Sequence, residues 1–270
     1  MDQQKRIISL NRNQLKYLVI IAMLIDHLAW AFVPTGSMQG QVMHFIGRLT
    51  GPVMAFFLVE GYMHTRNLKK YALRLGLFAL VSWPAFVYFE AGIWPVFLTK
   101  GSEASWSNAL NIYLPPLDSM LTIIPAFGVI YTLFLALAAL WVYDKAPWDG
   151  WMKGVVIAIL CLLSLYGDWP IFDIMFALVL FRFHDEPKKK WTIFYIVSIV
   201  LMMVMFGMIS GELIAANLFQ TGVFLVPPLL QFAYNGEGGS KKPFHKWFFY
   251  LFYPLHLLLL GYIKYGMKTA

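Results

Sequence analysis

The sequence has little charge and almost no cysteine. Charged residues make up 13% of the 270 positions and hydrophobic residues 60%, whereas soluble domains are about 25% charged and about 45–50% apolar. The single Cys161 excludes an intrachain disulfide, and its apolar neighbours indicate a packing role. We expect no cleaved signal peptide, because the first apolar run follows a basic stretch and continues to spanning length. The composition therefore predicts an integral membrane protein.

Familiar cofactor motifs are also missing. The sequence has no metal-ligand spacing, no phosphate-cradling glycine loop and no GxSxG elbow, so we expect no metal. The net charge is +7, but the cations lie in short loops between apolar runs. That distribution is typical of membrane topology and not of a nucleic-acid interface, so we expect no nucleic-acid partner.

Nine apolar runs are candidates for membrane spans. They lie at about 15–33, 42–63, 70–90, 117–143, 152–167, 169–183, 191–211, 213–233 and 246–265. We predict an all-α polytopic membrane protein with about nine transmembrane helices in a single domain, 1–270. Pro227-Pro228 should break or kink the eighth span. The longest loop, about 91–116, is expected to cover a site or to lie along the membrane interface; it contains Trp94, Trp106, Asn108 and Pro115-Pro116.

Basic residues predict the orientation of the spans. With the N-terminus in the cytoplasm and the C-terminus outside, most of the 21 cations fall in cytoplasmic segments, as the positive-inside pattern requires. These cations are Lys5, Arg6, Arg12, Lys16, Arg66, Lys69, Lys70, Arg74, Lys145, Lys153, Arg182, Lys188, Lys189, Lys190, Lys241, Lys242 and Lys246. No internal repeat is evident, which argues against a transporter built from two inverted halves.

The first apolar run carries three ionisable residues, Lys16, Asp26 and His27. Such residues inside spans are functional candidates, because a charge left unsatisfied in the membrane is costly. Lys16 and His27 share one helix face and lie about 16 Å apart along the axis. The adjoining acid and the depth in the membrane favour general-base work for His27 over a structural role.

The second run adds His44 and Arg48, four positions apart on one face and at the depth expected for Asp26. Two roles are open for Arg48. It stabilises a developing oxyanion in a dry site, or it forms a structural ion pair with Asp26 that holds the two helices together.

The loop that follows the second run is basic: His64, Arg66, Lys69, Lys70 and Arg74 lie close together in the sequence. Such a cluster is suited to a polyphosphate, such as the nucleotide end of coenzyme A. The alternative is that these cations only set the topology or touch anionic lipid. Composition alone favours the alternative.

Three further polar residues are candidates for lining a cavity. Glu60 ends the second run, and Asp173 lies deeper in its span than the other carboxylates. His256 follows Pro254 within the last run, where it either bonds a carbonyl freed by the proline or faces the same cavity.

Several motifs, taken in order, resemble the TraX family. They are Leu15-Lys16-Tyr17 with Asp26-His27, Gly47-Arg48-Leu49-Thr50-Gly51-Pro52, Glu60-Gly61-Tyr62-Met63-His64-Thr65-Arg66-Asn67, Tyr71-Ala72-Leu73-Arg74-Leu75 and Phe252-Tyr253-Pro254-Leu255-His256-Leu257. The resemblance is strong over about 1–90 and returns at 244–262. The founding member of this family acetylates the N-terminus of conjugative F-type pilin. The Lys-x10-His spacing is also similar to a motif of the wider transmembrane acyltransferase superfamily, in which the histidine is the proposed base.

The resemblance implies an acyltransferase of the bacterial inner membrane that takes acetyl-coenzyme A, or another acyl-coenzyme A, from the cytoplasm. It implies that the coenzyme A phosphates are held by Lys16, Arg66, Lys69, Lys70 and Arg74. The pair Arg66-x-x-Lys69 matches the Arg-x-x-Arg pattern of type-three acyltransferases only in part, and lysine lacks the bidentate fork of arginine.

The implied mechanism is a direct transfer. His27, oriented by Asp26, takes a proton from an acceptor amine or hydroxyl that arrives from outside, and Arg48 stabilises the oxyanion. A covalent acyl-enzyme is not expected, because no Cys and no Ser beside His27 offers a nucleophile. The acceptor stays open between a peptide N-terminus, a glycan, a lipid and a small molecule.

Two other classes of function compete with this one. A proton- or ion-coupled transporter would use Asp26, His27 and Arg48 as a relay. A non-catalytic assembly or anchoring protein would bind no acyl donor and would tolerate charge-preserving changes around His27.

Overall fold

The computed structural model describes residues 9–100, 110–114, 119–207 and 217–266, which are mostly helical. The α-helices are α1 (Arg12–Phe32), α2 (Met38–Gly47), α3 (Thr50–His64), α4 (Leu68–Ala91), α5 (Val129–Lys145), α6 (Gly150–Ser164), α7 (Phe172–Arg182), α8 (Pro187–Gly207), α9 (Val226–Phe232) and α10 (Pro243–Tyr265). A 3-10 helix over Leu218–Leu225 leads into α9. The strands are β1 (Val96–Lys100), β2 (Leu110–Leu114) and β3 (Ser119–Ile123).

Four helical segments in the described part of the chain are long and apolar enough to cross a membrane. They are Arg12–Phe32, Met38–His64, Leu68–Ala91 and Pro243–Tyr265. Gly150–Ser164 and Leu218–Phe232 are apolar but shorter. These segments support the membrane character expected from composition, because a span needs about 20 apolar residues. The full set of nine spans and their orientation stay predictions.

Helix α1 begins with a capping box. The Asn11 side chain accepts hydrogen bonds from the backbone N–H groups of Asn13 and Gln14, and the Gln14 side chain accepts one from the Asn11 N–H. This exchange satisfies three amides that the first turn leaves without a helical partner. Helix α1 then continues without interruption to Phe32, so Lys16 and His27 lie on one helix as the sequence predicted.

The second predicted span is a helix broken at Arg48. Helix α2 ends at Gly47 and α3 begins at Thr50. Pro52 has no N–H to donate to the carbonyl four residues earlier, that of Arg48, so the regular helical hydrogen bonding is interrupted at this point. A Cβ at Gly47 would collide with the side chain of Asp26. The glycine therefore allows α1 and α2 to approach closely, and the break places Arg48 beside α1.

The described chain is mostly helical, as expected, and one segment forms a small sheet. The predicted fourth span, 117–143, contains strand β3, and helix α5 begins only at Val129. Strand β3 lies between β1 and β2 and pairs antiparallel with both. Pro125 disfavours helical geometry in the residue before it and cannot continue a helix from upstream, which accounts for the late start of α5.

The predicted loop at 91–116 therefore contributes two strands. Trp94, which precedes β1, stacks on Tyr88 of α4 with ring centroids 5.5 Å apart. Trp106, Asn108 and Pro115-Pro116 lie outside the described residues.

The eighth predicted span, 213–233, changes its helical geometry at its prolines. The 3-10 helix ends at Leu225, and α9 begins at Val226 with Pro227 and Pro228 in its first turn. Proline is tolerated there because first-turn amides have no helical partner. The predicted break or kink stays a prediction, and 208–216 lies outside the described residues.

Helix α10, near the end of the chain, lies against helix α1, near its beginning. It packs against α4 and α1, while α5 packs against α3, α4 and α7. Leu10, just before α1, forms a parallel bridge with Tyr234, just after α9. Helices α1, α3, α4, α5 and α10 are thereby held around a common space.

Replacing Gly47 with alanine should destabilise the protein by about 1–3 kcal/mol, the usual cost of overpacking a close contact, because the new Cβ meets Asp26. The measurement is thermal unfolding of the purified protein in detergent. Gly154→Ala on α6 is the matched control, since a Cβ there meets nothing within 4 Å, and alanine favours a helix by about 0.5–1 kcal/mol. Equal midpoints for the two variants would contradict the close approach.

Candidate functional site

A buried carboxylate joins α1 to α2. The Oδ1 atom of Asp26 lies 2.7 Å from Nδ1 of His44, and its Oδ2 atom accepts a hydrogen bond of 2.7 Å from the Arg48 guanidinium. All three side chains are buried, and His44 is fully so. The structure therefore contains the Asp26–Arg48 ion pair that was one of the two alternatives from sequence.

The Arg48 guanidinium lies over two aromatic rings. Its central carbon is 4.8 Å from the ring centroid of Trp169 and 5.3 Å from that of Phe219. Gln220 offers a side-chain oxygen at 3.5 Å, which is the limit of a hydrogen bond. Among the described residues, Nε of Arg48 and Nε2 of His44 are buried without a hydrogen-bond partner. Each is a group that could still donate to or accept from a substrate.

His27 is paired with a histidine from the far end of the chain, and not with its neighbour Asp26. Nδ1 of His27 lies 3.0 Å from Nε2 of His256, and both rings are buried. The expected orientation of His27 by Asp26 is absent, because consecutive helical residues project about 100° apart and the Asp26 carboxylate faces α2. His256 also contacts the carbonyl of Phe252, 2.8 Å from its Nδ1.

These contacts determine which nitrogen of His27 is basic. A carbonyl only accepts, so Nδ1 of His256 carries the proton, and its Nε2 in the neutral ring accepts. The Nδ1–H of His27 must then be the donor between the two rings. Nε2 of His27 is left with its lone pair, as a general base requires.

A cavity of about 510 Å³ lies between α1, α3, α4, α5 and α10. One end is lined by exposed or half-buried residues, and the other end is lined by residues buried within the bundle. The first group includes Arg12, His64, Thr65, Ser240, Lys241 and Lys242, and the second includes Met23, Thr50, Val129 and Tyr253. The walls between them are largely apolar. The cavity is thus basic at one end and closed by buried side chains at the other.

The cavity extends along helix α1 toward His27. Arg12, Lys16, Ile20 and Met23 line it at helical spacing, and His27 is the next position in that series. Tyr253 lines the inner end of the cavity and also contacts His27, with ring centroids 6.3 Å apart. The cavity therefore ends one helical turn from the candidate base.

Only some of the predicted donor-binding residues line this cavity. Lys16, His64 and Arg74 do, and so does the cavity candidate Glu60. Arg66, Lys69 and Lys70 do not line the cavity; they are exposed around the start of α4.

Sequence reasoning missed four basic residues of the cavity wall, namely Arg12, Lys241, Lys242 and His245. Arg12 and the two lysines were assigned only to topology. The signal that could have identified the lysines is their position after the Gly238-Gly239-Ser240 run, at the start of an apolar helix.

The cations at the basic end differ in their partners. Arg12 donates to Glu60 at 3.0 Å, and Arg74 donates to the Tyr250 hydroxyl at 2.7 Å. The Lys16 ammonium lies over the rings of Phe57 and Phe249, 5.1 and 5.3 Å from their centroids. In the described structure no carboxylate lies within ion-pair distance of Lys16, so its charge is available to an anion in the cavity.

Asp173 is buried elsewhere in the bundle and does not line the cavity. Its Oδ2 atom lies 2.7 Å from the Thr132 hydroxyl of α5, and its Oδ1 atom has no hydrogen-bond partner within the described residues. His256 likewise lies beyond the cavity wall, where it supports His27.

Comparison with known proteins identifies two similarities. The TraX family, described as TraX protein, matches this chain over residues 11–114 and 115–264. A curated protein of Dichelobacter nodosus, "Probable fimbrial assembly protein FimC, serogroup H1", is 32% identical over 254 residues, which cover 92% of this chain and 93% of the relative. No solved structure matches the chain.

The Asp26–Arg48 ion pair can be tested with a double-mutant cycle. Arg48→Met should lower the free energy of unfolding by about 3–5 kcal/mol, because it leaves the Asp26 carboxylate buried without its cation. Asp26→Asn combined with Arg48→Met should lose less than the sum of the two single variants. Chemical unfolding in detergent measures each value, with the exposed Arg66→Met as the control. Additive losses would show that the two side chains are not coupled.

Proposed function

The chain belongs to the TraX family, and on that basis we propose that it is a membrane-embedded acyltransferase. It moves an acyl group, in the first instance acetyl, from cytoplasmic acyl-coenzyme A to an amine or hydroxyl that arrives from the other side of the membrane. The observation that carries this proposal is a cavity that is lined by cations at one end and ends one helical turn from His27 at the other.

The order of charged and apolar residues along the cavity is complementary to the order of charged and uncharged groups along an acyl-coenzyme A molecule. The donor is anionic at its nucleotide end and reaches its thioester through a long, mostly uncharged arm. Lys16 and Arg74 stand at the basic end, and Ile20, Leu58 and Leu133 form part of the apolar wall further in. A donor bound in this direction brings its thioester toward His27.

His27 serves as the base through Nε2. It takes the proton of the acceptor amine or hydroxyl while the acceptor atom attacks the thioester carbonyl carbon. The tetrahedral intermediate then collapses with loss of the carbon–sulfur bond, and the departing thiolate receives the proton from His27. His256, anchored on the Phe252 carbonyl, holds the ring in this tautomer and stabilises the imidazolium that forms.

Two donors are candidates for the oxyanion. One is the unpartnered Nε of Arg48, whose other nitrogens are fixed by Asp26 and Gln220. The other is the Tyr253 hydroxyl, which accepts the Val129 N–H at 3.2 Å and keeps its own hydrogen to donate. Fixed donors of this kind act strongly in a site that excludes water.

Direct transfer is proposed over a covalent acyl-enzyme that forms on Cys161 or Ser82. Cys161 lies on α6, none of whose residues lines the cavity. Ser82 is buried and donates to a carbonyl of its own helix at 3.1 Å. Neither is placed as a nucleophile that His27 could activate.

The acceptor is proposed from the relative. A protein named for fimbrial assembly at 32% identity, together with the pilin acetylation implied by the family, supports the N-terminus of a pilus or fimbrial subunit. A glycan, a lipid or a small molecule remains an outcome of the acceptor test.

The second candidate function is a proton- or ion-coupled transporter. The buried titratable pairs Asp26–His44 and His27–His256 favour it, since such groups form proton relays in membrane proteins. Proton flux into liposomes without an acyl donor would support this function, and donor-dependent acyl transfer without flux would exclude it.

Substituting His27 with alanine should reduce transfer by about 10²–10⁴-fold, the usual contribution of a general base. The assay is mass-spectrometric detection of acetylated peptide N-termini with purified protein and acetyl-coenzyme A. His184→Ala is the control, since His184 is an exposed histidine. Full activity of a folded His27→Ala protein would overturn the mechanism.

Replacing Lys16 with alanine should weaken donor binding while leaving the fold intact, because the ammonium faces the cavity without a carboxylate partner. We expect the thermal shift caused by acetyl-coenzyme A in wild type to be reduced by half or more. Lys16→Arg keeps the charge and should retain most of the shift. No shift in wild type would contradict the acyltransferase proposal itself.

A further inference from the structure

A glycine-rich segment forms part of the basic end of the cavity. We refer to this segment, residues 236–242, as the glycine loop; its sequence is Gly-Glu-Gly-Gly-Ser-Lys-Lys. It lies between α9 and α10, after Asn235 and directly before Pro243, the first residue of α10. Gly238, Ser240, Lys241 and Lys242 all line the cavity. The loop therefore supplies both backbone and charged groups to the same space.

The glycine loop is held in place by the start of α1. Arg12 N–H donates to the Glu237 carbonyl at 2.8 Å, and the Asn13 side-chain amide donates to the Ser240 carbonyl at 2.8 Å. Gly236 and Gly239 adopt φ values of +81° and +68°, which side chains rarely tolerate. A Cβ at Gly239 would also approach Asn13 within 2.9 Å. The loop is thus held in a defined shape that requires glycine at positions 236 and 239.

The charge around the glycine loop is strongly positive. Lys16, Arg74, Lys241 and Lys242 line the same cavity, and Glu60 is its one acidic lining residue within the described part of the chain. Glu60 is already bonded to Arg12 and to the Tyr234 hydroxyl. The remaining cations therefore face the cavity without a carboxylate among them.

The neighbouring basic loop is different. Lys69 and Lys70 lie at the same end of the molecule, in the first turn of α4, but they are exposed and do not line the cavity. Charge alone does not separate the two pairs of lysines; their position relative to the cavity does.

We propose that the phosphate groups of the acyl donor's nucleotide end bind at the glycine loop, through Lys241, Lys242 and the loop backbone, and not at Lys69 and Lys70. This assignment rests on the proposed function. Backbone amides in a glycine-rich turn beside ammonium groups form a concave anion site, because small residues let a phosphate approach the main chain. An anionic lipid headgroup has the same phosphate-ester chemistry, so the test separates the two sources.

The experiment measures coenzyme A binding by calorimetry, with the full chain in nanodiscs of phosphatidylcholine. Wild type is compared with Lys241→Ala/Lys242→Ala and with Lys69→Ala/Lys70→Ala, which removes the same charge from the same end of the molecule. We expect the first variant to weaken Kd at least tenfold and the second less than threefold. Lys241→Arg/Lys242→Arg should restore binding to within about threefold of wild type, since it keeps both cations.

A second arm uses dephospho-coenzyme A and nanodiscs that contain phosphatidylglycerol. Dephospho-coenzyme A lacks the 3′-phosphate. If the lysines contact that phosphate, the loss of affinity caused by Lys241→Ala/Lys242→Ala should be smaller for dephospho-coenzyme A than for coenzyme A. The loss for coenzyme A should persist in both lipids. Unchanged coenzyme A binding with weakened phosphatidylglycerol association would assign the loop to lipid and overturn the proposal. A larger loss in Lys69→Ala/Lys70→Ala, or equal losses in both variants, would overturn it while leaving the acyltransferase function intact. No binding by wild type would reject the proposed function as well.

Discussion

The buried Asp26 carboxylate is the interaction on which the arrangement of the site depends. Each of its oxygens is bonded to a side chain of the second helical segment, one to His44 and one to Arg48. A carboxylate removed from water is tolerated only when its charge and lone pairs are met, so this contact determines how α1 and α2 lie against each other. The break at Arg48, which Pro52 favours, and the absence of a side chain at Gly47 allow the contact to form.

This contact fixes the orientation of α1, and it thereby also determines which residues the other face of α1 presents. With Asp26 turned toward α2, His27 turns toward α10 and meets His256, and the positions one and two turns earlier line the cavity. The two faces of α1 thus have different roles. One face holds the Asp26 carboxylate in its ion pair with Arg48, and the other aligns the basic end of the cavity, its apolar wall and His27, the proposed base.

The sequence predicted much of the candidate site but not its partners. Lys16 and His27 were placed on one helix face by spacing alone, and Arg48 was placed near Asp26 by its depth in an antiparallel span. The family resemblance implied that Arg66, Lys69 and Lys70 bind the donor, yet these three residues are exposed and do not line the cavity. Lys241 and Lys242 line the cavity instead, since the start of α1 holds the glycine loop beside the cavity.

Hydropathy, motif order and helical periodicity are local properties of the chain, so the membrane character, the family and the course of α1 follow from the amino-acid sequence. The effect of Pro227-Pro228 on the eighth span is local as well, since a missing N–H acts on its own helix. The pairing of His27 with His256, 229 positions away, and the strand at residues 119–123 became evident only in the folded protein. Contacts between distant segments depend on how helices pack against one another, and no local pattern specifies which residue will stand opposite.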